Sequence, residues 1–360
     1  MDNVSRYGYI NAKLRARIGA ITSSSLLDSM IKAVNLSEAV SLLAGTRYDA
    51  LNTVYAQTAD LQLVELELFK MEIDEHKEII NVLDAVPAAF VTTMLEKSEV
   101  ENIKNALRLW YSADILHHGI SYRSAYIYKD RIVNDIDWLK IINALSFEDV
   151  HSAFRHTVYE EVFSSYSEDR IAKEGLFDLE IDLDHFWFSR LFKALDHLNG
   201  ADREVAHKIY SVDVDLKNII NLIRFGFFHD FTHEKLAHVF IAYGSLYETL
   251  KKKIMNQELT FDDARAIIKR KYPVVNDLLG QTEGQNNTHS QLAYGTVAME
   301  KYLNERRRNE YARILSGDPF TIGTILSYLN LCRSTDNTIK AILSAKYYKW
   351  SEEQIRREMN

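Results

Sequence analysis

Asp215-Leu-Lys-Asn-Ile-Ile-Asn-Leu-Ile-Arg-Phe-Gly-Phe-Phe228 decides how the rest of the chain is read. Leu216, Ile219, Ile220, Ile223 and Phe227 recur at spacings of three and four, which places them on one face of an amphipathic helix. Part of this helix has an echo. Asn218-Ile-Ile-Asn-Leu-Ile-Arg224 resembles Asn102-Ile-Lys-Asn-Ala-Leu-Arg108, 116 residues earlier. Thr338-Ile-Lys-Ala-Ile-Leu-Ser344 is a weaker copy 120 residues later, and Asn11-Ala-Lys-Leu-Arg-Ala-Arg17 is weaker still.

A second element recurs beside the first. Asn35-Leu-Ser-Glu38, Ser146-Phe-Glu-Asp149 and Thr260-Phe-Asp-Asp263 each put a short polar side chain three residues before an acid. Such a residue accepts a bond from a free N–H at a helix start, and the acid reaches back towards the cap and favours the positive end of the helix dipole. The apolar patterns that follow end at Thr46-Arg-Tyr48, Thr157-Val-Tyr159 and Lys271-Tyr272. The second pattern carries Phe147, Val150, Phe154 and Val158 on one stripe. The three starts are 111 and 114 residues apart. Two elements recurring in the same order predict three related helical domains of about 110 residues. The expected boundaries are 1–95, 96–205 and 206–317, with C-terminal helices at 318–360 that pack back on the first domain.

Composition agrees with long helices and few turns. There are 3 prolines (Pro87, Pro273 and Pro319) and 13 glycines in 360 residues. Average usage would give about eighteen prolines. A sandwich or barrel needs the Gly, Pro and Asn-Gly turns that are scarce here. The expected fold class is therefore all-α. One stretch reads either as a short strand or as an irregular connection, because Tyr122, Ser124, Tyr126 and Tyr128 alternate with other residues. Gly280 to Ser290 reads as a polar loop, and Ser316-Gly-Asp-Pro319 as a break with proline opening the next helix.

Several function classes are disfavoured. A lone cysteine, Cys332, allows neither an intrachain disulfide nor a Cys-based zinc site and fits a reducing compartment. The N-terminus has no apolar segment of a signal peptide, and the best apolar patch, Val86 to Val91, is far short of the ~18 residues of a membrane span. The chain is therefore expected to be cytoplasmic and not to insert into a membrane. A net charge of −8 argues against a broad nucleic-acid surface. The basic runs Lys251–Lys253, Lys269–Lys271 and Arg306–Arg308 read as solvated helix faces. No Gly-rich phosphate loop, HExxH motif or Gly-x-Ser-x-Gly elbow is present, so no catalytic or cofactor-binding residue is expected. His229, Asp230, His233 and His238, with His117, His118 and Asp262, could be assembled into an HD-type metallohydrolase. Nothing in their spacing indicates convergence on one metal, so ordinary half-buried histidines are the simpler reading. His185-Phe-Trp-Phe188, with Leu191 and Phe192, reads as helical core rather than an exposed docking patch. Arg15, Arg17, Arg108 and Arg224 either pair with acids inside the domains or contact a partner directly.

These residues also meet a family. Tyr7-Gly-Tyr-Ile-Asn-Ala-Lys-Leu-Arg-Ala-Arg17 resembles the N-terminal signature of the C subunit of V/A-type ATP synthases, whose eukaryotic counterpart is the d subunit of V-ATPases. The likeness continues at Leu36–Ala39, Thr46–Tyr48 and Asp215–Arg224, then at Pro319–Leu329, Ile339–Leu343 and Glu352–Arg356. Thr338 and Ser344 depart from the family's usual Asn and Arg, and Leu109 to Phe147 matches poorly. The resemblance implies a funnel of three similar helical domains in a pseudo-threefold arrangement. It further implies a non-catalytic adapter on the cytoplasmic side of a rotary ATPase. Its socket would receive the central shaft made of the D and F subunits, and loops and helix ends at its narrow end would contact the membrane rotor ring. An adapter of that kind transmits torque between ion flow and nucleotide chemistry. A helical scaffold of another complex is the alternative, and the HD-type hydrolase a distant third.

Overall fold

The computed structural model describes residues 3–21, 24–115, 125–228, 232–273 and 289–359. The early helices are α1 (Asn3–Ala20), α2 (Ser24–Lys32), α3 (Leu36–Ser41), α4 (Asp49–Thr58), α5 (Leu61–Ile80) and α6 (Ala85–Trp110). A π-helical turn, Tyr111–Ile115, extends α6. Then come α7 (Trp138–Ile142), α8 (Phe147–Ser152), α9 (Glu160–Ser164), α10 (Glu168–Glu174), α11 (Phe177–Asp196) and α12 (Gly200–Phe228). The chain closes with α13 (His233–Val239), α14 (Gly244–Met255), α15 (Phe261–Lys271), α16 (His289–Leu315), α17 (Gly323–Tyr347) and α18 (Glu352–Met359). No strand occurs among the described residues, and the fold is all-α.

The chain forms two compact units, Met1–Leu183 with Thr324–Asn360, and Asp184–Gly323. In the first, Met30, Val40, Leu43, Tyr48, Leu51, Val64 and Leu68 form one core with Ile339, Ile342 and Leu343 of α17 and Ile355 of α18. A fully buried Leu or Ile contributes roughly 1.5–3 kcal/mol, so the C-terminal helices are integral to this core. In the second unit, α12 packs against α13, α14, α15 and α16. Trp187, Phe188, Leu191 and Phe192 are buried, as expected of helical core.

The two recurring sequence elements meet in space. Tyr48, Tyr159 and Tyr272 close the three capped segments, and each hydroxyl donates to a carboxylate on a long helix. The acceptors are Asp336 on α17 at 2.7 Å, Glu99 on α6 at 2.9 Å and Asp215 on α12 at 2.9 Å. These helices carry Thr338–Ser344, Asn102–Arg108 and Asn218–Arg224. The first capped segment is thus completed by a helix nearly 290 residues away in sequence.

The asparagines of the repeat also act alike. Asn102 donates to the Tyr128 carbonyl at 2.8 Å and accepts from the Tyr128 N–H at 3.2 Å. Asn218 makes the same pair of bonds with Ile241, at 3.1 and 2.8 Å. One amide thereby satisfies both polar groups of a buried non-helical residue, which would otherwise cost a lost bond each. Residues 127–137 form the irregular connection rather than a strand; Tyr122 and Ser124 lie outside the described residues. Thr338, in the weaker copy, is too short for this clamp, and its hydroxyl bonds Ser334 O in its own helix at 2.9 Å.

All three caps form, with Asn35, Ser146 and Thr260 accepting from the N–H of the acid three residues on. Only Asp263 reaches back to its own cap's N–H, at 3.2 Å. Glu38 and Asp149 instead take the N–H one residue further back, on Val34 at 2.7 Å and Leu145 at 3.2 Å. The segments then diverge. α15 is continuous, whereas α3 and α8 are short and give way to a turn. Its left-handed residue is Gly45 (φ 71°) in one and His156 (φ 66°) in the other. Each of these N–H groups bonds an acid four residues on, Asp49 or Glu160, at 2.8 Å. The expected stripe on Phe147, Val150, Phe154 and Val158 therefore runs through a turn, with Val158 only half-buried. The expected break at 316–319 is present, but α17 starts four residues after Pro319, at Gly323, and Asp318 accepts from Phe320 N–H in between.

Candidate functional site

The four arginines have different surroundings. Arg17 on α1 donates to Glu75 at 2.7 Å and to both oxygens of Glu78 at 2.8 Å. Glu78, with Glu75, holds its guanidinium more firmly charged than usual, and Arg17 with Lys13 pulls Glu78 down to about 2. Arg108 grips Glu180 with two parallel bonds of 2.7 and 2.5 Å. This planar fork suits a carboxylate better than lysine would. Arg15 bonds Asn11 one turn back at 2.9 Å, and Arg224 is exposed on α12. Pairing with internal acids thus describes Arg17 and Arg108.

Around Arg17 the first unit holds a polar seam that periodicity does not reveal. Glu75 on α5 accepts from Arg17, from Arg47 at 3.3 Å and from the Tyr328 hydroxyl of α17. Arg47 lies 3.4 Å from the Cys332 sulfur, and its neighbour Tyr48 reaches Asp336. Burial pushes the Cys332 thiol up and Asp336 up to about 6. A buried charge persists only when paired, and here one carboxylate satisfies three donors from three parts of the chain. The sequence does carry a signal, because Glu72 and Glu75 interrupt the buried face formed by Ile73, His76 and Ile79. The seam has no nucleophile paired with a base. Its geometry ties α1, α5 and α17 into one block.

A groove of about 440 Å³ opens beside Asn105, Arg108, Tyr126 and Lys340. Its two cations are engaged, Arg108 with Glu180 and Lys340 with Glu65 at 2.8 Å. Among the described residues no group of three His, Cys, Asp or Glu is placed to hold a metal ion. His233 and Asp262 are exposed, and His238 stacks on His185 at 6.0 Å. His117, His118, His229 and Asp230 lie outside the described residues, as does nearly all of the loop from Gly280. The three basic runs lie on mostly exposed helix faces, with Lys253 on Asp263 and Arg307 on Asp213, both at 2.6 Å. Among the described residues no helix is long and apolar enough to cross a membrane.

Comparison with known proteins gives this architecture a context. The chain matches the family model for the ATP synthase (C/AC39) subunit over residues 10–358. It is 22% identical over 347 residues to the C subunit of the A-type ATP synthase of Methanosphaera stadtmanae, covering 94% of this chain and 84% of that protein. Against the same subunit from Methanocaldococcus jannaschii it is 20% identical over 369 residues, covering 98% and 86%. Against that from Pyrococcus abyssi it is 21% identical over 336 residues, covering 93% and 85%. With a match spanning both units, the chain belongs to the ATP synthase (C/AC39) subunit family.

Proposed function

We propose that this chain is a non-catalytic adapter of a rotary ATPase, linking a central shaft made of the D and F subunits to the membrane rotor ring on the cytoplasmic face. The observation that carries the reading is the family match from residue 10 to residue 358. Three Tyr–carboxylate latches and two asparagine clamps support it, because torque transfer needs stiff blocks, and packed helices with satisfied buried polar groups deform little. A pseudo-threefold funnel is the arrangement we infer for the three latched segments. In this reading the four arginines remain the candidate partner contacts, and Arg17 and Arg108 also contribute through their ion pairs.

The test is a reconstituted motor lacking this chain. The soluble head is expected to keep hydrolysing ATP while ion pumping is lost, with coupling restored when the chain is added back. Pumping that survives its removal, or a head that needs the chain to hydrolyse ATP, would overturn the assignment.

A further inference from the structure

The repeat that supplies the asparagine clamps leaves one amide unused. Asn105 and Asn221 are the fourth residues of Asn102–Arg108 and Asn218–Arg224. Asn221 donates to the Val239 carbonyl at 3.3 Å, two residues before the Ile241 backbone that Asn218 clamps. Phe240 between them is extended, at φ −78° and ψ 118°. Two amides one helical turn apart thus hold alternate residues of an extended main chain, whose polar groups face the same way every second residue.

In the second module Asn102 clamps Tyr128 in the same manner, but Asn105 is exposed and its side chain bonds no other described residue. Its amide lines the groove of about 440 Å³, together with Gln62 of α5, whose side chain is also exposed and bonds no other described residue. The volume falls within the roughly 300–1,000 Å³ of ligand sites. Leu66, Phe69 and Leu109 give the groove an apolar wall. Its two cations are already neutralised, Arg108 by both oxygens of Glu180 and Lys340 by Glu65. An anion would have to break one of these pairs. An uncharged group that both donates and accepts needs only the two free amides. A peptide main chain is such a group, and it is what the matching amide already holds in the third module.

We infer that this groove is a docking site for an extended, uncharged segment of a partner polypeptide. Asn105 and Gln62 take its main-chain groups, and its apolar side chains rest on Leu66, Phe69 and Leu109. The inference goes beyond the adapter reading and does not depend on it.

The probe is a synthetic peptide, blocked at both ends, with the sequence Leu236-Ala-His-Val-Phe-Ile-Ala-Tyr243. It contains the main chain that Asn218 and Asn221 hold, and no Asp, Glu, Lys or Arg. Titrated into the full chain by calorimetry, it is expected to bind saturably at one site, with the same affinity at low and high salt. Asn105→Leu and Gln62→Leu should each weaken binding about tenfold, because a main-chain carbonyl then enters the groove without its donor. Asn105→Gln keeps the amide and should retain most of the binding. Both positions are exposed, so the thermal midpoint should not fall in any of these variants. Absence of saturable binding, or equal affinity in the Asn105→Leu/Gln62→Leu double variant, would overturn the inference. Displacement of the peptide by inorganic phosphate would assign the groove to Arg108 and Lys340 and overturn it as well. None of these results bears on the adapter reading, which the reconstituted motor tests separately.

Discussion

Asp336 shows how one half-buried group can serve a latch and still titrate near neutrality. Burial raises its pKa from the usual carboxylate range to about 6, against the opposing pull of the Tyr48 hydroxyl and the Arg47 guanidinium. Glu72 and Glu75 also face it and push the same way as burial. The folded chain therefore holds this proton more tightly than the unfolded chain. The stability it contributes is fully present below about pH 4 and is lost as pH rises through about 6. Asp336→Asn keeps an acceptor for Tyr48 and removes the titration. Between pH 5 and pH 7 the wild type should lose roughly 1 kcal/mol relative to this variant, measured by urea unfolding at the two pH values. Parallel stabilities would show that Asp336 does not titrate in this window. Glu78 has the opposite sign. Its pKa is lowered to about 2 by Arg17 and Lys13, so its contribution is present above about 4.5 and fades as pH falls towards 2.

At the scale of the element, backbone conformation sets which substitutions are tolerated. Gly244 opens α14 at φ 74°, and a Cβ there would stand 2.7 Å from Asp215 Oδ1. Asp215 also accepts from Leu246 N–H at 2.8 Å and from Tyr272, so it cannot withdraw without releasing the helix start and the latch together. Gly244→Ala is expected to cost more than about 2 kcal/mol in thermal or urea unfolding, and a near-neutral result would contradict the close approach. Lys349 is the converse. It ends α17 in the left-handed region at φ 59°, with Trp350 N–H bonded to Ala345 O at 2.9 Å. This is a Schellman-type stop made without glycine. Lys349→Gly should therefore stabilise the chain by about 0.5–1 kcal/mol, and a loss of stability would show that the lysine side chain has a role of its own.

At the scale of the molecule, the order of the chain and the order of the modules differ. α17 completes a core begun by α2, and Lys346 on α17 donates to the Ile31 and Ala33 carbonyls at 2.6 Å, capping the end of α2. α18 adds Ile355 to that core and an Arg356–Asp28 ion pair at 2.5 Å. Deleting residues 324–360 would remove Ile339, Ile342, Leu343 and Ile355 together and leave Tyr48 without its carboxylate. Hydrogen exchange of the truncated chain is expected to show lost protection across residues 30–68 and retained protection in α12. Full protection of 30–68 after truncation would mean that this core stands without the C-terminal helices.

The sequence by itself determined the helical class, the two repeated elements and the family, because these depend on local rules. Apolar spacing, cap chemistry and scarcity of turn residues act within a few positions of the chain, and motif order survives divergence to about 20% identity. Leu216 and Ile219 were legible as core from their spacing, and the aromatics of α11 from the large apolar area they bury. Only the tertiary structure decided which tyrosine met which acid and that Asn102 and Asn218 are backbone clamps. It also decided that α8 stops at Ser152 and gives way to a turn rather than running on to Val158. The internal pairing of the arginines was equally a matter of distant partners, Glu75 and Glu78 for Arg17 and Glu180 for Arg108. A hydrogen bond's worth depends on the desolvation of both partners and on their meeting at about 3 Å, and no local pattern encodes a distance between residues 48 and 336.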